Sequence, residues 1–199
     1  MLILGINGSV HQHGNTADLL TYGLEEAAKM GAETELIFVQ EALDEFKQPY
    51  CTVCEPRCPG VCYEGKRLEG MFNLLRECDG ILLGSPVYFG TVTAQLKSFW
   101  DMSRKLRNDK ALLNTVGGAV SVGAARFGGQ ETTLRALHDM MLVQGMLIVG
   151  DGHGSVDPGH QGACAQRPAI KDDYAISRVR IMARRVVDVA KATVVLRRT

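Results

Sequence analysis

The stretch Gly80-Ile-Leu-Leu-Gly84-Ser-Pro-Val-Tyr-Phe-Gly90 decides the fold class of this 199-residue chain. Its first five residues are an apolar run too short for a helix, and the turn after them opens into a helical pattern over Val92–Leu106. An apolar run without polar alternation fits a parallel strand buried on both faces. The unit recurs along the chain. Strands are expected at Leu2–Ile6, Glu35–Val39, Gly80–Gly84, Asn114–Val120 and Met146–Val149. Helices are expected over Thr16–Met30, Leu68–Glu77, Val92–Leu106, Glu131–Gln144 and from Asp172 onward, with a loop from Gly150 to about Lys171. Strict β–α alternation gives an α/β three-layer sandwich with a five-stranded parallel sheet. Its length suits one domain over residues 1–199. In such sheets ligands sit at the carboxyl ends of the strands, so the loops leaving strands one to four are the places to look.

Lys and Arg number 22, balanced by 22 Asp and Glu, and this zero net charge argues against a broad nucleic-acid or anionic-membrane surface. Arg178, Arg180, Arg184, Arg185, Arg197 and Arg198 crowd the C-terminus, but Ile176, Val179, Ala183, Val186, Val187 and Ala190 lie between them at helical spacing. An amphipathic helix with a solvated basic face is expected there. Met1–Ile6 lacks the basic leader and cleavage site of a secretion signal, and no apolar run is long enough to cross a bilayer. A cytoplasmic location is expected, where clustered cysteines bind metal or do redox chemistry.

The loop after strand one, Gly8-Ser-Val-His-Gln-His-Gly-Asn-Thr16, places hydroxyls and backbone N–H groups of Ser9, Gly14, Asn15 and Thr16 at a helix N-terminus. Such a terminus attracts anions. The loop has no lysine of the ATP-binding kind, so a monophosphate held without metal is its natural guest, an ordinary capped helix being the alternative. His11 is expected to face the phosphate and His13 to have no role. In the loop after strand three, Pro86, Val87, Tyr88, Phe89 and Gly90 suit a planar heterocycle, with free N–H groups for its edge and apolar cover for its face. Its aromatics could instead plug the core. The loop after strand four carries Gly123, Arg126, Gly128 and Gly129; Arg126 either faces an anionic ring or phosphate or lies in solvent. Between strands two and three, residues 40–67 form a Cys-rich insertion holding Cys51, Cys54, Cys58 and Cys62 within twelve residues. Four soft thiolates at such spacing suit an iron–sulfur cluster or zinc, and free or oxidised thiols are the third reading. Cys78 reads as a small core residue, and Cys164 has no evident partner.

Gly84-Ser-Pro-Val-Tyr-Phe-Gly-Thr-Val-Thr-Ala-Gln-Leu-Lys-Ser-Phe-Trp-Asp101, together with Gly8-Ser9, Gly14-Asn15-Thr16 and Gly128-Gly129-Gln130-Glu131-Thr132, resembles the flavodoxin-like NAD(P)H-dependent FMN reductases. Among them it is most similar to the iron–sulfur flavoproteins, over nearly the whole chain. The resemblance implies a flavodoxin-like sandwich with FMN as cofactor, its phosphate on Ser9–Thr16 and its ring against Pro86–Gly90. It implies an oxidoreductase passing electrons between NAD(P)H or a ferredoxin-like donor, FMN and a [4Fe-4S] cluster on the four cysteines. A homodimer or homotetramer with the flavin near a subunit interface is also implied. Two positions depart from the family pattern. His11 stands where an arginine is usual, and the cysteine spacing is C-x2-C-x3-C-x3-C, with Arg57 where the third cysteine is usual. Two other functions stay open, a reductase without a cluster and a non-enzymatic electron carrier or redox sensor. No side chain need act as acid or base, so no catalytic residue is named.

Overall fold

A computed structural model describes residues 1–197; Arg198 lies outside the described residues. The strands are β1 (Leu2–Asn7), β2 (Glu33–Phe38), β3 (Gly80–Pro86), β4 (Val116–Gly123), β5 (Leu147–Val149) and β6 (Ala163–Gln166). The helices are α1 (Asn15–Lys29), α2 (Val39–Leu43), α3 (Arg67–Glu77), α4 (Ala94–Met102), α5 (Arg104–Asn108), α6 (Gln130–Leu142), α7 (Asp173–Ala192) and α8 (Val194–Arg197). All strand pairs are parallel, in the order β2-β1-β3-β4-β5, with β6 also on β4.

Apolar residues alternate between the two faces of the sheet. Ile3, Leu82 and Val120 point to α1 and α7, where Leu19, Leu20, Val179, Met182 and Val186 meet them. Leu4, Ile6, Ile81 and Leu83 point to the other layer, formed by Phe72, Leu96, Phe99, Leu134 and Leu137. Burial on both faces is why these strands read as unbroken apolar runs. Among the described residues, no helix is long and apolar enough to cross a membrane.

The five expected parallel strands are all present, and part of the 150–171 segment, expected as loop throughout, adds a sixth by pairing with β4. Val116–Gly118 takes β5, and Val120–Gly123 takes β6. The two short strands therefore follow one another along one edge, parted by the excursion 150–162. The helix expected over Val92–Leu106 breaks at Ser103, whose buried hydroxyl donates to Trp100 O at 2.6 Å and accepts from Gln144 Nε2 at 2.7 Å. Such back-bonding competes with helix propagation. The C-terminal basic face is also not simply solvated. Arg184 pairs with Glu26 at 2.6 Å and Arg197 with Asp79 at 3.0 Å, while Arg178 is buried on Asp151 and Asp157. The Arg184 hydrogen bond holds the Glu26 carboxyl below its ordinary value.

Candidate functional site

The loops leaving β1, β3 and β4 emerge from one edge of the sheet, because Asn7 is level with Gly84 and Pro86 with Val122. Buried Asn7 closes the first loop on itself. Its Oδ1 accepts from Ser9 N at 3.0 Å, and its Nδ2 donates to His11 O at 3.1 Å. Ser9 Oγ accepts from His11 N at 3.1 Å. Gly8 N donates to Gly84 O at 2.8 Å, and a Cβ on Gly8 would lie 2.8 Å from that oxygen. Fully buried Thr93 completes the join: its hydroxyl donates to Gly8 O at 2.6 Å and accepts from Leu96 N at 3.1 Å. The phosphate-type loop and the ring-type loop are thus one stitched unit.

Ser9, just after β1, and Thr16, in the first turn of α1, are buried, Gly14 and Asn15 are half-buried, and His11 and His13 are exposed. Among the described residues no side chain caps α1, so its first N–H groups stay available to an anion. Asn15 has a second employment the sequence did not reveal: its Oδ1 accepts from Ala169 N at 2.8 Å, tying α1 to the segment after β6.

In the loop after β3, Tyr88 and Thr91 exchange both backbone hydrogen bonds at 2.9 and 3.1 Å. Between them Phe89 and Gly90 have φ of 49° and 80°, the left-handed pair of a type I′ turn. The Phe89 ring is wholly exposed. The expectation that this loop's aromatics could plug the core therefore fails at Phe89. A non-glycine residue held left-handed is strained. Asn tolerates that conformation, so Phe89→Asn is expected to stabilise the fold by about 1 kcal/mol and to raise Tm by about 2–4 °C, while weakening FMN binding. A fall in Tm in a thermal melt would show that the ring packs for stability.

The third wall is held by Gln130, which is nearly fully buried. Its Nε2 donates to Ala125 O at 2.6 Å and to Ala165 O at 3.3 Å, and its Oε1 accepts from Gly128 N at 2.8 Å. Gly123 lies directly beneath this amide. Gly129, at φ +96°, abuts Val87 and Gly90, and Thr132 Oγ1 donates to Gly90 O at 2.8 Å. The sequence motif contained Gln130 and Thr132, but their role in clasping two loops is a tertiary fact. Arg126 is exposed and lies over the Phe127 ring, 5.7 Å from its centroid. A cavity of about 910 Å³ opens beside this cradle, between Arg126–Thr132, Cys164–Pro168 and Lys171–Tyr174. Burial pushes the Cys164 thiol there up to about 12 and that of core residue Cys78 higher still, so neither is a ready nucleophile.

The Cys-rich insertion hangs from α4 and α5. Ser98 Oγ donates to Pro49 O, and the Arg104 guanidinium donates to Glu55 O and Pro56 O at 3.4 and 3.2 Å. Ser98 lies about 8 Å along α4 from Thr93, at 1.5 Å per residue, so one helix braces both the cradle and the insertion. Cys54 and Cys62 are exposed, and Cys51 and Cys58 are half-buried; no disulfide joins them. Burial raises the Cys62 thiol, and Cys58, Cys54 and Cys51 raise it further by their charge. Among the described residues no group of three or more Cys, His, Asp or Glu stands ready-made as a metal site. Three features nonetheless suit a thiolate centre. Val53 N donates to Cys51 Sγ at 3.4 Å, Val53 itself is held at φ 54°, and the Tyr63 hydroxyl is buried without a partner among the described residues.

Comparison with known proteins accords with this geometry. The sequence model of the family described as NADPH-dependent FMN reductase matches residues 1–161. An iron–sulfur flavoprotein of Methanocaldococcus jannaschii is 39% identical, covering 96% of this chain and 98% of its own. One from Methanosarcina thermophila is 36% identical, covering 95% of each. Among solved structures, a flavodoxin-type, WrbA-like protein from Agrobacterium tumefaciens superposes with a TM-score of 0.69 at 20% identity, covering 96% of this chain and 97% of its own. That likeness bears on the fold alone.

Proposed function

Because the chain belongs to the NADPH-dependent FMN reductase family, we propose that its three-loop cradle holds the FMN of an NAD(P)H oxidoreductase and that Cys51, Cys54, Cys58 and Cys62 carry a [4Fe-4S] cluster. The observation that carries the flavin part is the stitched edge Gly8–Thr93–Gly84, which sets an uncapped helix N-terminus beside a strained, exposed aromatic turn. The α1 N–H groups, with Ser9, Gly14, Asn15 and Thr16, would receive the phosphate. His11 lies exposed at the mouth, where its ring would face the phosphate. Pro86–Gly90 would support the ring, with Gly123, Gly128 and Gly129 allowing close approach at its edge and Arg126 beside it. FMN supplies the exchange of paired for single electrons, and a cluster carries one at a time.

The donor set supports the cluster: four thiols within twelve residues and a backbone N–H already directed at Cys51 Sγ. The names of the two relatives point the same way. NAD(P)H is the donor the family supports; a ferredoxin-like protein is an additional donor we propose for the cluster. Exposed Phe89 and Phe127 support a second copy of the chain covering the cradle, as a homodimer or homotetramer. The unpaired cysteines support a cytoplasmic setting. A cluster-free reductase is the second reading, favoured by the exposure of Cys54 and Cys62 and by the lack of ready-made metal geometry among the described residues.

The deciding experiment is an absorption spectrum with iron, acid-labile sulfide and zinc assays on protein purified without oxygen. Flavin bands with a broad cluster shoulder and about four irons and four sulfides per chain are expected. Flavin bands with zinc or no metal would remove the cluster and leave the reductase; iron and sulfide without flavin would remove the FMN cradle and leave the cluster.

A further inference from the structure

Tyr63 follows the fourth cysteine directly, yet its side chain turns inward. It is 4% exposed, and its ring meets Phe72 edge-on at 5.0 Å between centroids. Phe72 continues to Phe99 at 5.3 Å, so the tyrosine roots the insertion in the main core. The hydroxyl has no hydrogen-bond partner among the described residues. Burial raises the Tyr63 phenol, and the Arg76 guanidinium beside it opposes that rise. Arg76, which donates to Phe72 O at 3.4 Å and Asp109 at 3.3 Å, can only donate and so leaves the hydroxyl proton unclaimed. A buried hydroxyl left unmatched is destabilising, and a native fold keeps one only where something else is served.

Its surroundings indicate what that is. A Cβ on Gly60 would lie 2.8 Å from the Tyr63 oxygen, so the hydroxyl sits against the Gly60 backbone. Gly60 lies midway between Cys58 and Cys62, at φ +86°, and Tyr63 N donates to Gly60 O at 3.3 Å. The hydroxyl is therefore under the turn that joins the third and fourth cysteines. A phenol there has a free proton to give, and the nearby groups that gain most from it are thiolates bearing negative charge.

We propose that the Tyr63 hydroxyl donates a hydrogen bond to a metal-bound thiolate of the 51–62 loop and so tunes that centre. The proposal rests on the reading of the loop as a metal site, but not on iron being the metal. An O–H donor withdraws charge from the sulfur, which strengthens metal retention and favours the reduced state of a redox centre.

Tyr63→Phe removes the oxygen alone, and three measurements read its effect. The metal-free variant should melt no lower than the parent, because the lost group had no partner. Cobalt(II) titrated anaerobically into metal-free protein, followed by thiolate-to-cobalt absorption, should bind about tenfold more weakly, as for a lost hydrogen bond to a charged group. In iron-loaded protein the ratio of reduced to oxidised centre at fixed potential should fall about tenfold, a midpoint about 59 mV lower for one electron. Equal cobalt affinity, an equal midpoint or a lower melt of the metal-free variant would each overturn the proposal. Parent protein that contains iron but is matched in all respects by Tyr63→Phe would sink this inference while the cluster reading stands. Parent protein without iron that binds cobalt more tightly than Tyr63→Phe would sink the cluster and uphold the tyrosine's role. Parent protein that takes up neither metal would overturn both.

Discussion

Arg178→Met is expected to melt about 10 °C below the parent chain, the largest stability loss foreseen for a single side chain here. Arg178 is 5% exposed on α7. Its Nε donates to Asp151 Oδ2 at 2.7 Å, and its two terminal nitrogens fork onto the Asp157 carboxylate at 2.9 Å each. Asp151 is itself buried and also accepts from His160 N through Oδ1. One guanidinium thus fastens both arms of the excursion 150–162 to the helix that covers the sheet. Removing it leaves a buried carboxylate with its chief partner gone, which typically costs about 3–5 kcal/mol. At about 2–4 °C per kcal/mol for a chain of this length, a drop near 10 °C follows. Adding Asp151→Asn to the variant should recover part of it, because the unpaired charge is then removed.

The effect also has a pH signature. The Arg178 hydrogen bond, ahead of other contributions, holds the Asp157 carboxyl below its ordinary value of 3.8. A lowered carboxylate contributes stability above its unfolded value and loses it as pH falls through the folded one. The gap between parent and Arg178→Met should therefore be full at neutral pH and narrow in acid, below about pH 4. Thermal melts across that range check it. A gap independent of pH would show that packing, not charge, holds the excursion.

Gln130→Leu is expected to weaken FMN binding about tenfold to a hundredfold with a smaller change in melting temperature. The substitution keeps most of the side chain's volume but removes bonds to Ala125 O, Ala165 O and Gly128 N. Each is worth about 1 kcal/mol net, more where a buried carbonyl is left bare. Those bonds shape the loop Gly123–Gly129, which meets the β3 loop where Gly129 abuts Gly90. Loss of that wall costs the ring its edge support, whereas the sheet beneath has no part in the bonds broken except at Ala165. Fluorescence titration of flavin-free protein with FMN measures the change. Unchanged affinity in a folded Gln130→Leu would mean that the loop after β4 does not contact the flavin.

Strands β1, β3 and β4 were readable because each buries both faces and must be apolar nearly throughout. β6 was not: Ala163-Cys-Ala-Gln166 is only four residues long with no β-branched residue, and pairs only because Val120–Gly123 offers an edge that β5 leaves uncovered. Asn15 was read as a phosphate ligand from its place at a helix start. Its tie to Ala169, 154 residues away, leaves no local mark. Arg178 looked like part of a solvated basic stripe because its partners lie 27 and 21 residues off, in a loop without periodicity.

The sequence by itself determined the α/β alternation, the loops that bear chemistry and the four-cysteine insertion, since each rests on the spacing of neighbouring residues. Tertiary structure alone decided how those pieces serve one another. Thr93 joins two loops across 85 residues, and Arg104 carries the cysteine insertion from 48 and 49 residues away. Among the described residues the Tyr63 hydroxyl is left partnerless beneath the Gly60 turn. Burial and hydrogen-bond satisfaction are properties of the packed chain, so no local stretch of sequence encodes them.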